Sequence, residues 1–311
     1  MAEIKSKERI EFKRISPADK ALYESYYPDG EERGCEFSFA NLYLWGRQSF
    51  ALNEGHIVLF SQFSRRSVYP YPVGKADKKA VIDSIVADAE DRGIPCRITG
   101  LSRGARDTLE ELYPGKFSFH SDEGSYDYVY NIDDLADLKG KKYQAKRNHI
   151  NRFKDACPNY KAEPITEKNI DLVREMSERW YKEKLEENPN ADYKMEEAAL
   201  EKAFRDYKEL GLEGMAIISE GEVLAFSFAS RMSQNTFDVH FEKARSDIQG
   251  SYAIINCEMA KYIRGKYPDA RYLDREEDMG LEGLRKAKQS YGPHHRVEKY
   301  WACLLENGYE Y

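Results

Sequence analysis

Apolar positions along this chain switch repeatedly between helical and strand spacing. SPADKALYESYY predicts a helix with Ser16 as its cap and Pro17 in its first turn. SFALNEGHIVLFSQF predicts two strands turning at Asn53-Glu54-Gly55. KADKKAVIDSIVADAEDRG reads as a helix ended by Gly93, PCRITGL as a strand, and SRGARDTLEELYP as a helix stopped by Pro114. KFSFHSD and SYDYVYNI read as paired strands turning near Gly124.

The order then recurs. TEKNIDLVREMSERWYKEKLEE and MEEAALEKAFRDYKELG read as helices, and GMAIISEGEVLAFSFASRM as a hairpin turning at Glu220-Gly221. TFDVHFEKA is a strand, GSYAIINCEMAKYIRGKYP a helix, ARYLD a strand, LEGLRKAKQSY a helix and HRVEKYWACLL a final strand. Asn53 to Ser64 overlies Ser219 to Ser230 at a constant offset of 166, with Glu, Gly, Phe, Ser and Ser coinciding. The shared order of elements after the two hairpins points to an internal duplication. Between the copies, NIDDLADLKGKKYQAKRNHINRFKDACPNY reads as a linker region that passes from acidic to basic.

Composition narrows the classes. The 311 residues suit two domains, and 41% hydrophobic content supports proper cores. A net charge of -7 argues against a generally basic nucleic-acid binder but leaves room for a local patch. One such patch is Lys141 to Lys154, which holds six cations and no carboxylate. No run of 18 apolar residues occurs, and the charged MAEIKSKERIEFKRI lacks an apolar signal core. Five scattered cysteines with no CxxC spacing predict reduced thiols and a cytoplasmic protein without a zinc site. His294-His295 has no third ligand at metal spacing, so no metal is expected.

Two stretches carry candidate chemistry. In HFEKARSDIQGSYAIIN, a strand hands over through a polar loop to a helix starting near Gly250. First-turn amides and the helix dipole make such a corner suitable for phosphate. Gln249, Gly250, Ser251 and Tyr252 would form it, with Lys243 and Arg245 as nearby cations. An ordinary glycine-capped connection explains the pattern equally well. In YLDREEDMGLEGLRKAKQSYGP, Asp274, Glu276, Glu277 and Asp278 cluster at a strand's carboxyl end. Open α/β sheets hold ligands at such strand ends. Glu277 and Asp278 are expected to serve the helix beginning near Leu281. That leaves Asp274 or Glu276 to bind an acceptor amine as a cation and then take its proton. Glu242 and Asp238 are rival carboxylates, expected on one face of the preceding strand with His240 packed on the other.

The loop around Gly250, together with FSFANLYLW, KRNHINRF and DREEDMGLEGLRKAKQSY, resembles the divergent tandem-GNAT family. That family is related to the C-terminal domain of phosphatidylglycerol lysyltransferases and to Fem-type aminoacyltransferases. The plain GNAT loop pattern is not met, since only the central glycine fits. The resemblance implies an α/β (α+β) fold of two tandem GNAT-like domains, 1–135 and 136–311, with mixed central sheets flanked by helices. It implies an acyltransferase using coenzyme A thioester or aminoacyl-tRNA as donor and an amine as acceptor. The second copy would hold the donor, because the first has no glycine at the matching position. Arg147 and Asn148 would bind anionic substrate groups or a tRNA acceptor end, and Asn41 and Trp45 would line the cleft. Tyr291 would act as the acid for the departing thiolate. The alternative is a non-catalytic GNAT-fold protein that keeps a coenzyme A or small-molecule cleft.

Overall fold

A computed structural model describes residues 9–27, 33–46, 48–63 and 66–305. Ser64 of the repeat and the first eight residues of the charged amino-terminal segment lie outside these. The chain forms two compact units, 1–126 with 297–311, and 127–296.

The first unit contains β1 (Lys13–Arg14), α1 (Lys20–Tyr26), α2 (Phe39–Trp45), β2 (Gln48–Asn53), β3 (His56–Phe63), β4 (Arg66–Pro70), α3 (Lys78–Asp91), β5 (Arg97–Leu101), α4 (Arg103–Leu112) and β6 (Phe117–Ser121). The second contains β7 (Asp127–Asn131), α5 (Ile132–Asp137), α6 (Gln144–Ala156), β8 (Lys161–Pro164), α7 (Ile170–Glu187), α8 (Lys194–Arg205), β9 (Glu213–Ser219), β10 (Glu222–Arg231), β11 (Thr236–Ala244), α9 (Ser251–Lys266), β12 (Tyr272–Asp274), α10 (Glu282–Gln289) and β13 (His295–Val297). The chain then returns to the first unit as β14 (Tyr300–Leu304).

The two mixed sheets have matching plans. Their strand orders are β1-β2-β3-β4-β5-β14-β6 and β8-β9-β10-β11-β12-β7-β13. Each has a parallel step at the same place, β4 with β5 and β11 with β12. The duplicated hairpins turn alike: Glu54-Gly55 and Glu220-Gly221 all have positive φ, the two-residue geometry whose twist suits a hairpin.

The matching plans also reveal an exchange of strands. β7 follows β6 in sequence but inserts between β12 and β13, while β14 inserts between β5 and β6. The expected pairing of KFSFHSD with SYDYVYNI is therefore incorrect. The expected single strand HRVEKYWACLL is divided, β13 in one sheet and β14 in the other. Likewise the compact units do not follow the expected bounds 1–135 and 136–311. Partner choice in a sheet is non-local, and two adjacent strands with a turn between them carry no mark of separate destinations. β4, α5 and β8 are further elements beyond those the pattern predicts.

The second core gathers one face of the sheet against α5, α6 and α9. Tyr128, Tyr130, Phe153, Ile254, Ile255 and Ile263 are all fully buried there. Helix α6 presents Ile150 and Phe153 to this core, as helical spacing predicts.

Candidate active site

The site begins with a divergence of two strands. β11 and β12 pair in parallel from Thr236↔Tyr272 to Asp238↔Asp274. Beyond that point β11 continues with β10 to Ala244. The chain after β12 instead stays with β7: the Arg275 amide donates to the Tyr128 carbonyl, and the Tyr128 amide to the Glu276 carbonyl. Divided hydrogen bonding thus opens a gap in the sheet after Asp238 and Asp274.

A β-bulge decides which side chains line each face. Phe228 pairs with Phe241 and Ala229 with Val239, so His240 is an extra residue on β11. Plain alternation would put 238, 240 and 242 together. The bulge instead keeps Asp238 and His240 on one face and turns Glu242 to the other, toward α9. The expectation that Asp238 and Glu242 share a face is corrected by this single inserted residue. The expectation that His240 lies opposite Asp238 is also incorrect, because residues two apart on a strand point the same way.

On the α9 face, Arg275 is the centre. Its Nη2 donates to Glu242 Oε1 at 2.8 Å. The Asn256 amide oxygen, turned toward it, accepts from Nη1 at 3.2 Å and Nε at 3.3 Å. The guanidinium lies 5.1 Å from the Tyr291 ring and 5.7 Å from that of Tyr130. Lys146 sits 3.7 Å over the same Tyr291 ring and donates to Ser290 Oγ at 2.7 Å. Burial, and next the Arg275 charge, push the Lys146 ammonium down to about 8. Burial pushes the Tyr291 phenol up to about 12. Lys288 braces the turn from behind, donating to the Arg275 and Glu276 carbonyls.

On the opposite face, His240 Nδ1 stands 3.3 Å from Asp238 Oδ2 and 3.7 Å from Glu276 Oε1. Its Nε2 is 2.8 Å from Ser230 Oγ. Asp274, wholly buried, accepts from the Glu276 amide at 2.8 Å. That bond shapes a turn in which Glu276 has φ +58°.

Of the residues predicted from sequence, Glu242, Glu276 and Tyr291 flank the opening. Asp274 does so too, but its burial leaves no surface for an acceptor. Asp278 does not cap α10 through its side chain. Its carboxylate is a buried hub that accepts from Tyr128 Oη, the Gly280 amide and Arg285 Nε. Glu277 is half-buried beside it.

The phosphate corner is altered by its neighbours. Gly250 is the residue before α9 and has φ +94°. Any Cβ there would overlap the His149 carbonyl oxygen and lie 3.1 Å from Phe153 Cβ. The close approach that glycine permits is thus made by α6. Ser251 is buried and donates to the Ile248 carbonyl at 2.8 Å, while Gln249 and Tyr252 are exposed. Lys243 does not reach this corner. It is buried on the other face against Glu196 at 2.7 Å, 3.8 Å over the Trp180 ring, another consequence of the bulge. Arg245 pairs with Asp247 at 2.6 Å. In the first unit, by contrast, α3 is capped by the Asp77 side chain accepting from the Lys79 amide.

Arg147 holds its own loop, donating to the Leu138 and Gly140 carbonyls. Exposed Asn148 accepts from Gln144. The α6 residue that faces the opening is Lys146, four and seven positions before Ile150 and Phe153 and so on their stripe. Buried Asn41 and half-buried Trp45 belong to α2 of the first unit.

These arrangements can be set beside known proteins. The family model described as phosphatidylglycerol lysyltransferase, C-terminal, matches residues 29–303. The chain belongs to this family.

A crystal structure of a conserved protein of unknown function from Bacteroides thetaiotaomicron is 38% identical, with a TM-score of 0.89 over 95% of this chain and 99% of that one. L-PGS from Bacillus licheniformis shares the fold at 16% identity and a TM-score of 0.67, covering 94% and 93%. FemX does so at 12% and 0.60, covering 95% and 98%. An uncharacterised protein of Mycoplasmoides gallisepticum is 23% identical over 59% of this chain, and the match spans only 58% of that protein. The fold is thus the tandem GNAT-like architecture of two mixed sheets flanked by helices that the resemblance implied.

Arg275, Lys146, Asn256 and His240 as a site residue were not reached by sequence reasoning. For Lys146 the signal was present in its spacing to Ile150 and Phe153. For His240 the signal was its alternate spacing from Asp238, whereas Arg275 has no local signal, because its position is defined by the gap.

Proposed function

We propose that this protein transfers an acyl or aminoacyl group from an activated ester or thioester to an amine, at the opening between β11 and β12. The observation that supports this is the parting of those strands after Asp238 and Asp274, with Arg275, Lys146, Glu242 and Tyr291 gathered on one face. An extended donor arm would lie along the β11 edge. The Arg275 guanidinium, supported by Glu242 and Asn256, offers fixed positive charge to the oxyanion that forms as the carbonyl is attacked. Lys146, with its pKa near neutrality, can take the proton that the acceptor amine must lose. Tyr291 stays protonated and can return a proton to the leaving group.

The family points to an aminoacyl group as the first donor to test. The carbonyl oxygen of His149 against Gly250 disfavours an anion there, which counts against coenzyme A. Gln249 and Tyr252, being exposed, remain the residues through which coenzyme A would bind if it is the donor. With an aminoacyl-tRNA donor, the basic α6 would meet the acceptor end of the tRNA.

The test is a transfer assay with labelled lysyl-tRNA and labelled acetyl-CoA against a panel of amines and phosphatidylglycerol vesicles. Transfer from either donor that falls about 10²-fold or more in Arg275→Gln, as loss of an oxyanion donor does, supports the reading. Undiminished transfer in Arg275→Gln would remove the opening as the reaction site. A protein that binds a donor and never turns over would favour the non-catalytic alternative.

A further inference from the structure

On the face of the opening away from α9, two side chains of β11 and one from the turn after β12 converge on one point. Ligand atoms of Asp238, His240 and Glu276 all lie within 4.8 Å of one another. We propose that they form a binding site for one divalent transition-metal ion of the Zn²⁺ or Mn²⁺ class.

The spacing is the first argument. His240 Nδ1 is 3.3 Å from Asp238 Oδ2 and 3.7 Å from Glu276 Oε1. Two metal–ligand bonds of about 2.1 Å at a tetrahedral angle hold their ligand atoms about 3.4 Å apart. The second argument is the imidazole. His240 Nδ1 has no hydrogen-bond partner among the described residues, although its side chain is only 1% exposed. Its Nε2 meets Ser230 Oγ at 2.8 Å. In the tautomer that donates from Nε2 to Ser230 Oγ, the Nδ1 lone pair points between two carboxylates, where a bound cation would be favoured. That outer bond would hold the tautomer that a metal-bound histidine requires.

The third argument is rigidity. Glu276 holds a left-handed φ of +58° that a glutamate rarely adopts. Its amide is fixed by Asp274, and its carbonyl accepts from the Tyr128 amide and Lys288 Nζ. The backbone is thus tied in a strained form that returns the carboxylate toward β11. The imidazole nitrogen favours a transition-metal ion such as Zn²⁺ over Mg²⁺ or Ca²⁺, and the two carboxylate oxygens also suit Mn²⁺. The Glu276 side chain is 22% exposed, so the ion would keep a position open to the gap.

The test is calorimetric titration of tag-free, chelator-treated protein with Zn²⁺ and with Mn²⁺, alongside a Co²⁺ visible spectrum. No acyl donor or acceptor is present, so the result stands apart from the transfer reading. Expected are one equivalent of metal per chain, a raised melting temperature with metal, and at least a 10-fold loss of affinity in Glu276→Gln. The variant His294→Ala/His295→Ala, which removes the exposed histidine pair, should bind as wild type does. Absence of stoichiometric binding to the wild-type protein would overturn the proposal. So would equal affinity in folded Glu276→Gln, or binding that disappears with the histidine pair. Should Glu276→Gln fail to fold, the wild-type titration and the histidine-pair variant still decide the matter.

Discussion

The α-carbon of Gly250 lies against the main-chain carbonyl of His149, so that a Cβ on Gly250 would come within 2.8 Å of the carbonyl carbon. The glycine suggested a seat for phosphate, yet here it lets α9 begin directly against the backbone of α6.

Gly250→Ala should therefore destabilise the fold whether or not a donor is present. A side chain at φ +94° costs about 1–2 kcal/mol, and the overlap with α6 about 1–3 kcal/mol more. Urea denaturation of the two proteins would measure the sum. A variant as stable as wild type would show that α6 does not press on this corner.

Asp278 predicts a pH dependence. The Arg285 side chain, opposed by desolvation and helped by Tyr128, holds its carboxyl well below the ordinary range. The unfolded carboxyl titrates near ~3.9. The stabilisation is then present above about pH 4 and is lost as pH falls toward the folded pKa. Asp278→Asn should cost about 2 kcal/mol at pH 7, the scale of a hydrogen bond to a charged group. The gap between variant and wild type should narrow below pH 4. A constant gap from pH 7 to pH 3 would contradict the assignment.

Lys146 should control the alkaline side of the transfer reaction. With its pKa at about 8, kcat/KM should rise with pH through that value as the amine loses its proton. Lys146→Arg, which keeps the charge and cannot deprotonate, should remove that rise and lower the rate by about 10²–10⁴-fold. The unfolded lysine titrates near ~10.4. The folded state therefore binds fewer protons between about 8 and 10.4, so stability should increase with pH across that window. Lys146→Met should abolish the increase. A pH–rate profile unchanged in Lys146→Arg would exclude this residue as the proton acceptor.

The duplicated turns make a paired prediction. Glu54 and Glu220 are exposed and have φ of +48° and +53°, a conformation asparagine tolerates better. Glu54→Asn and Glu220→Asn should each stabilise the protein by about 0.5–1 kcal/mol, additively, in thermal or chemical melts. If one gains and the other loses, the two hairpins are not equivalent.

The sequence by itself determined most local structure. Ser16, Ser102 and Gly93 begin or end helices where their chemistry requires. Glu54-Gly55 and Glu220-Gly221 turn the hairpins, and the offset of 166 exposes the duplication. Those signals are local, carried by a few neighbouring residues with a defined periodicity or φ.

Tertiary structure alone decided which strands meet and which side chains share a face. β6 and β7 are adjacent in sequence but enter different sheets, because strand pairing is satisfied by any edge of fitting register. Asp238 and His240 share a face at alternate spacing, and Glu276 joins them because it turns back through a left-handed φ, while one extra residue in β11 turns Glu242 away from them. Arg275 reaches Glu242 only across a gap made by two strands choosing different partners. None of these depends on the identity of nearby residues. Each is a consequence of long-range hydrogen bonding, which the pattern along a single chain does not encode.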